Sequence, residues 1–255
     1  MKTSTSITRF FGTMALIAAV LFIAPSCGTE AEEDPQKDPT EQKDEDASIL
    51  EQRNEFWKEW KDKCAPPTTK SDSSIFNTNG KNYDQFKADN PAVWQAMIDM
   101  YQTPADGEQF LPGVVNSGST YPIEVNAYAG QKLYKIMPPE GKIVGSYSPY
   151  YITEMQLEQL KMHPADLEQK LGLPLQSCSG EYWIYSITSL TDDNLFFQSS
   201  VASTEQYAAT TPNIVYYTPG GATQSLLINS NDQMKWKKAT EPDEKYIPDT
   251  LPKIE

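Results

Sequence analysis

The sequence predicts an α+β domain in which helices come first and mostly antiparallel strands fill the rest. Three observations carry that reading. Apolar residues between Ile49 and Met100 recur at helical spacing, many of those from Ile123 onward fall in short β-branched and aromatic runs, and the pattern changes near Gly107. A stretch of roughly 200 residues is enough for one core of this kind.

Residues 1–26 read as an export signal. Lys2 and Arg9 make a positive start, and residues 14–24 are apolar but too short to cross a bilayer core of about 30 Å comfortably. Ala24-Pro25-Ser26 then stand before Cys27, the arrangement of a lipoprotein signal cut ahead of a cysteine acylated with palmitate-type chains. Residues 27–46 follow as an acidic disordered tether, since Glu30 to Asp46 sets nine carboxylates against Lys37 and Lys43, with Pro35 and Pro39 among them. Such a segment cannot bury enough apolar surface to offset its ordering entropy. An acidic stretch just behind a lipidated cysteine resembles the lipoproteins of the Bacteroidetes, which implies lipid anchoring in the outer membrane at the cell surface.

The folded domain is expected over residues 47–240, helical over 47–107 and strand-rich over 108–240. Ser48 with Glu51 reads as a capping box for a helix carrying Phe56, Trp57 and Trp60 to Lys63, and Cys64-Ala65-Pro66-Pro67 stops it. A polar loop runs through Gly80. Asn90 as N-cap and Pro91 at the first position open a second helix over 92–102, which Thr103-Pro104-Ala105-Asp106-Gly107 ends. Ile123 to Tyr128 and Lys132 to Met137 read as a hairpin joined at Ala129-Gly130. A helical insertion follows, capped by Thr153 over 154–162, with a second short helix from His163-Pro164 to Gly172. Strand-like runs are then expected at Tyr182 to Ser189, Leu195 to Val201, Ile214 to Thr218 and Ala222 to Ile228. The proline-marked residues 241–255 form an extended C-terminal arm.

Composition narrows the partners. The formal charge is −14, and removing Lys2 and Arg9 with the signal takes it to −14 − 2 = −16, which excludes nucleic acid as a natural partner. With His163 as its one histidine and no Cys-x-x-Cys spacing, the chain is not expected to bind a metal. Cys64 and Cys178 remain once Cys27 is assigned to lipid; in an exported chain they allow one disulfide, although two buried thiols would look the same in sequence.

The strand-rich part contains an ordered series: Gly130-Gln131-Lys132-Leu133-Tyr134-Lys135, Ser148-Pro149-Tyr150-Tyr151, Leu173-Pro174, Tyr182-Trp183-Ile184-Tyr185, and Gly220-Gly221-Ala222-Thr223-Gln224. Over residues 123–229 this resembles the tuberculosis necrotizing toxin family, which has an ADP-ribosyltransferase-like fold and hydrolyses NAD to nicotinamide and ADP-ribose. The resemblance implies NAD as substrate, no further cofactor, and an immunity or surface protein as a candidate partner. It implies that Lys135, Ser148 and Tyr150 bind the dinucleotide, that Gly220 and Gly221 admit its close approach, and that Gln224 is the catalytic amide, orienting water or the ribose. Lys135 would act on the pyrophosphate as a point charge, Tyr150 or Tyr151 would stack on a planar ring, and the oxocarbenium-like sugar would be stabilised by positioning and charge. Two departures stand out. Lys135 occupies the place of the family's arginine, Arg53 being the one arginine beyond the signal, and the family's histidine has no counterpart but His163. Glu181 and Glu205 have no role assigned by spacing, and a paired-carboxylate glycosidase is open in principle. The competing reading is a non-enzymatic surface lipoprotein that binds a protein or glycan. Convergence of Lys135, Ser148, Tyr150 and Gln224 in one cleft of a few hundred cubic ångströms would favour the enzyme.

Overall fold

The computed structural model describes residues 39–64, 76–78, 82–100, 103–139, 149–210 and 213–252. All belong to one compact unit spanning Asp38–Glu255. The export signal, Cys27 and the first part of the tether lie outside the described residues, as does Ser148.

The order is α+β, with helices first. Helix α1 (Pro39–Lys63) is followed by β1 (Phe76–Thr78), α2 (Tyr83–Asp89), α3 (Pro91–Ile98) and α4 (Pro104–Asn116). Then come β2 (Ile123–Ala127), β3 (Lys132–Met137), β4 (Tyr150–Thr153), α5 (Glu154–Met162) and α6 (Leu167–Lys170), the last two joined by a 3-10 turn at Pro164–Asp166. Strands β5 (Tyr182–Ser189), β6 (Asn194–Ser200), β7 (Thr204–Tyr207), β8 (Ile214–Thr218), β9 (Thr223–Leu227), β10 (Trp236–Lys238) and β11 (Glu244–Tyr246) complete it.

Several expectations are corrected. Helix α1 begins at Pro39, so residues 39–46 are helical where a disordered tether was expected; Glu41, Gln42, Lys43 and Glu45 are all good helix formers and carry the helix past Ser48. Ser48 is therefore no cap, and its hydroxyl instead accepts from Gln52 one turn on. Asn90 does not cap α3 with its side chain; its amide donates to the Phe86 carbonyl and closes α2. Thr103-Pro104 opens α4 instead of ending a helix, the Thr103 hydroxyl accepting from Asp106 N at 3.1 Å. Gly107, Pro112 and Gly113 disguise α4 in the sequence, yet Gly107 is what lets it press on α3, since a Cβ there would sit 3.0 Å from the Ile98 Cα.

The expected hairpin is not formed. Strand β2 pairs with β6, and β3 pairs with β4 and β5. Among the described residues the sheet has the order β10-β5-β3-β4-β9-β6-β2, with β11 pairing β5 beside β10, and a separate small sheet runs β1-β7-β8. Among the described residues the strands pair antiparallel throughout. Glu205 lies on β7, a strand not expected from the sequence.

One face of the large sheet is covered by helices. Phe86, Trp94, Met97 and Leu111 pack on Phe197 and Leu226, while Leu157 and Leu160 of α5 pack on Ile152 and Ile184. On the other face Ala127 of β2 and Trp236 of β10, strands from opposite ends, meet with Leu133, Tyr151, Tyr185, Phe196 and Leu227 in one cluster, so the sheet curls around its own apolar side. Helix α1 closes the small sheet through Trp57, Leu175 and Tyr216. Cys64 and Cys178 sit in this last cluster as two separate buried thiols; the disulfide allowed by the sequence is not formed. Burial pushes both thiols up, which keeps them protonated and inert.

Candidate active-site cleft

The sheet splits between β3 and β4. These strands pair at Leu133↔Thr153 and Tyr134↔Ile152; β4 then turns to β9, at Tyr150↔Leu226 and Tyr151↔Ser225. At the divergence is a cleft of about 360 Å³ lined by residues 134–138, 150–152 and 171–174 together with Ser117, Ser177, Val201, Thr204 and Gln224. Most of this lining is apolar. Among the described residues no carboxylate and no arginine borders it.

Three of the residues expected from the sequence meet here: Lys135 from β3, Tyr150 from β4 and Gln224 from β9. Lys135 is buried, opposite Tyr185 in register, with its Nζ 5.0 Å from the centre of the Tyr151 ring. Burial, and secondarily the like charge of Lys238, lower its pKa to about 7. Burial raises the Tyr151 phenol, so that hydroxyl stays protonated. Tyr150 is half-buried, packing partly on the core of α2–α4.

Gln224 is more committed than its place at a strand start suggests. Its amide nitrogen donates to Ser117 Oγ at 2.9 Å and Ser199 Oγ at 3.0 Å, and Ser117 Oγ in turn donates to the Val114 carbonyl at 2.6 Å. Both amide hydrogens thus tie β9 to β6 and to the end of α4; the carbonyl oxygen lies 3.3 Å from Ser117 Oγ and keeps a second lone pair with which to serve a ligand.

Gly220 and Gly221 do not border the cleft. Both have positive φ, of 71° and 100°, and a Cβ on Gly220 would stand 2.5 Å from the Val201 carbonyl oxygen. Gly220 N donates to Gln169 O and Gly221 N to Val201 O, so the pair docks the turn on α6 and on the end of β6 instead of admitting a dinucleotide. His163 is exposed beside the turn after α5, away from the cleft. Glu181 accepts from Trp183 Nε1 and Glu205 from Tyr207 OH, both outside it.

Arg53, the one arginine beyond the signal, is wholly buried and structural. Its guanidinium pairs with Glu168 and donates to the carbonyls of Gly180 at 3.0 Å and Thr250 at 2.6 Å. Thr204 and Ser177 were not singled out from the sequence, and neither carries a signal that would separate it from any other strand or turn hydroxyl. Among the described residues no group of three or more His, Cys, Asp or Glu side chains is assembled as a metal site, and no helix is long and apolar enough to cross a membrane.

No family model matches this chain, and no curated protein does. Among solved structures it is similar to "Rhs1-CT in complex with cognate immunity protein RhsI1", with 15% identity and a TM-score of 0.34, over 52% of this chain and 86% of that one.

Proposed function

We propose that the cleft between β3 and β4 binds NAD and hydrolyses it to nicotinamide and ADP-ribose, in a protein lipid-anchored through Cys27 to the outer membrane and exposed at the cell surface. The observation that carries this reading is the meeting of Lys135, Tyr150 and Gln224, from three different strands, around one cleft. In it, Lys135 faces the pyrophosphate, whose charge would hold the amine protonated against its burial. Tyr150 offers a ring for the nicotinamide or adenine. The Gln224 carbonyl oxygen, held still by two serines, would accept a hydrogen bond from the attacking water as the sugar becomes cationic.

The apolar lining and the engaged Gln224 amide favour a second reading, a binding cleft without catalysis. One assay separates them. Purified protein given 1,N6-etheno-NAD should become fluorescent as nicotinamide leaves, with the products identified by mass spectrometry. Gln224→Ala should lower kcat by about a hundredfold, the usual cost of one preorganised polar group, whereas Ser199→Ala, which disturbs the network but keeps the oxygen, should lose much less. Lys135→Ala should act chiefly on KM, because a pyrophosphate contact is made equally in substrate and transition state. No release above buffer from folded wild type over hours would leave the binding reading in place.

A further inference from the structure

The small sheet has one covered face and one bare one. Thr204 and Gln206 of β7 and Tyr216 and Thr218 of β8 turn inward, where Tyr216 packs on Trp57 of α1 and Gln206 Oε1 accepts from Leu175 N at 2.6 Å. The residues between them point the other way. Glu205 stands opposite Tyr217 and Tyr207 opposite Ile214; Val215 is an extra residue in β8, and that bulge puts Ile214 on the outer face with Tyr217. Ile214 is 50% exposed and Tyr217 44%, with Glu205 and Tyr207 half-buried beside them.

This outer face is not simply apolar. Tyr207 OH donates to Glu205 Oε2 at 2.9 Å, so the Tyr207 ring lies back along its own strand and turns a flat side outward. Glu205 Oε1 has no partner among the described residues. Tyr217 is the diagonal neighbour of Tyr207, about 7–8 Å away in an antiparallel pair, near enough for one ligand to cover both rings. Two phenol rings beside a carboxylate suit a sugar, because a pyranose offers C–H faces to the rings and hydroxyls for the carboxylate to accept. Charge and size narrow the choice. None of these side chains is cationic and the chain carries −14, which disfavours a polyanion. The face is also far smaller than the roughly 20–30 residues a side of a stable protein interface.

We propose that the outer face of β7 and β8 is a carbohydrate-binding surface for a neutral oligosaccharide, whose sugar rings lie on Tyr207 and Tyr217 while Glu205 Oε1 accepts from their hydroxyls. Ile214 extends the apolar footing at one end. None of these residues borders the cleft between β3 and β4, which β7 reaches from its inner face through Thr204. The surface therefore goes beyond N-glycosidic cleavage and needs neither NAD nor Gln224.

The test titrates the full chain in detergent, by calorimetry, with hexasaccharides of β-linked glucose, α-linked glucose and β-linked N-acetylglucosamine. At least one should bind with a Kd of about 1 mM or tighter. Tyr217→Ala should weaken that binding at least about tenfold, whereas Tyr217→Phe, which keeps the ring, should stay within about twofold. Glu205→Gln should weaken it by about fivefold, through loss of a charged acceptor. No binding of any of the three at about 10 mM overturns the proposal, as does binding that Tyr217→Ala leaves unchanged. Sedimentation of the same samples covers the remaining occupant: a dimer that Tyr217→Ala dissolves would mean that a second copy fills this face, and would also overturn it. Should Tyr217→Ala fail to fold, wild type and Glu205→Gln decide the matter. Each outcome stands whether or not the protein releases nicotinamide from NAD.

Discussion

Lysine 135 is a buried cationic residue on a strand, and its burial has a consequence for stability. The native amine has a pKa lowered to about 7 from 10.5, so between those values the unfolded chain binds more protons than the folded one. Stability therefore rises with pH across that window, by at most about 1.4 kcal/mol per unit, and is lost as pH falls to 7. Lys135→Met removes this dependence. The variant should exceed wild type in urea denaturation most at pH 7 and by progressively less toward pH 10; a gap that does not narrow would show the amine to be solvated. Gln224 teaches the converse lesson at the same scale. Its position was legible from the sequence, but its two serine partners come from Ser117 and Ser199, residues with nothing in their local sequence to mark them.

Among the elements, α5 and α4 show when local signals suffice. Thr153 before an amphipathic run marks the start of α5, and the Thr153 hydroxyl does accept from Gln156 N at 3.3 Å. Thr153→Ala should cost about 1 kcal/mol, read as a lowered denaturation midpoint with an unchanged slope. Thr103-Pro104 carries the same kind of signal, yet glycines and a proline inside α4 mask it, because packing against α3 outweighs their poor propensity. Strands β5 and β8 are legible to the residue, since each is a run of aromatic and β-branched residues. Strands β4, β10 and β11 are short, and pairing with β3, β9 and β5 is what makes them strands at all.

At the scale of the molecule, one buried ion pair joins distant parts of the chain. Arg53 of α1 reaches Glu168 of α6, the Gly180 carbonyl before β5 and the Thr250 carbonyl in the C-terminal arm. Tyr182 OH donates to the same Glu168 oxygen at 2.8 Å. Burial raises the Glu168 pKa and Arg53 opposes that rise, so the carboxylate depends on its partner. Arg53→Ala should destabilise by about 3–5 kcal/mol, on the order of ten degrees in Tm for a domain of this size. Arg53→Met combined with Glu168→Gln should recover part of the loss, because no unpaired charge is then buried. Calorimetry of the single and double variants checks both; equal loss in the two would point to packing, not charge, as the dominant contribution.

The sequence by itself determined the class, α+β with helices leading, because periodicity and caps are properties of neighbouring residues. It also marked Lys135, Tyr150 and Gln224, each by an order along the chain. Tertiary structure alone decided that β2 and β3 part company instead of forming a hairpin, since Ala129-Gly130 permits a turn while partners for the two strands are chosen by β6 and β5, roughly sixty residues away. It decided likewise that Arg53 holds the frame, that Gly220 and Gly221 dock a turn, and that a cleft opens where β4 leaves β3 for β9. Which strand edge pairs with which depends on the burial of both faces at once, and no local run of residues contains that information.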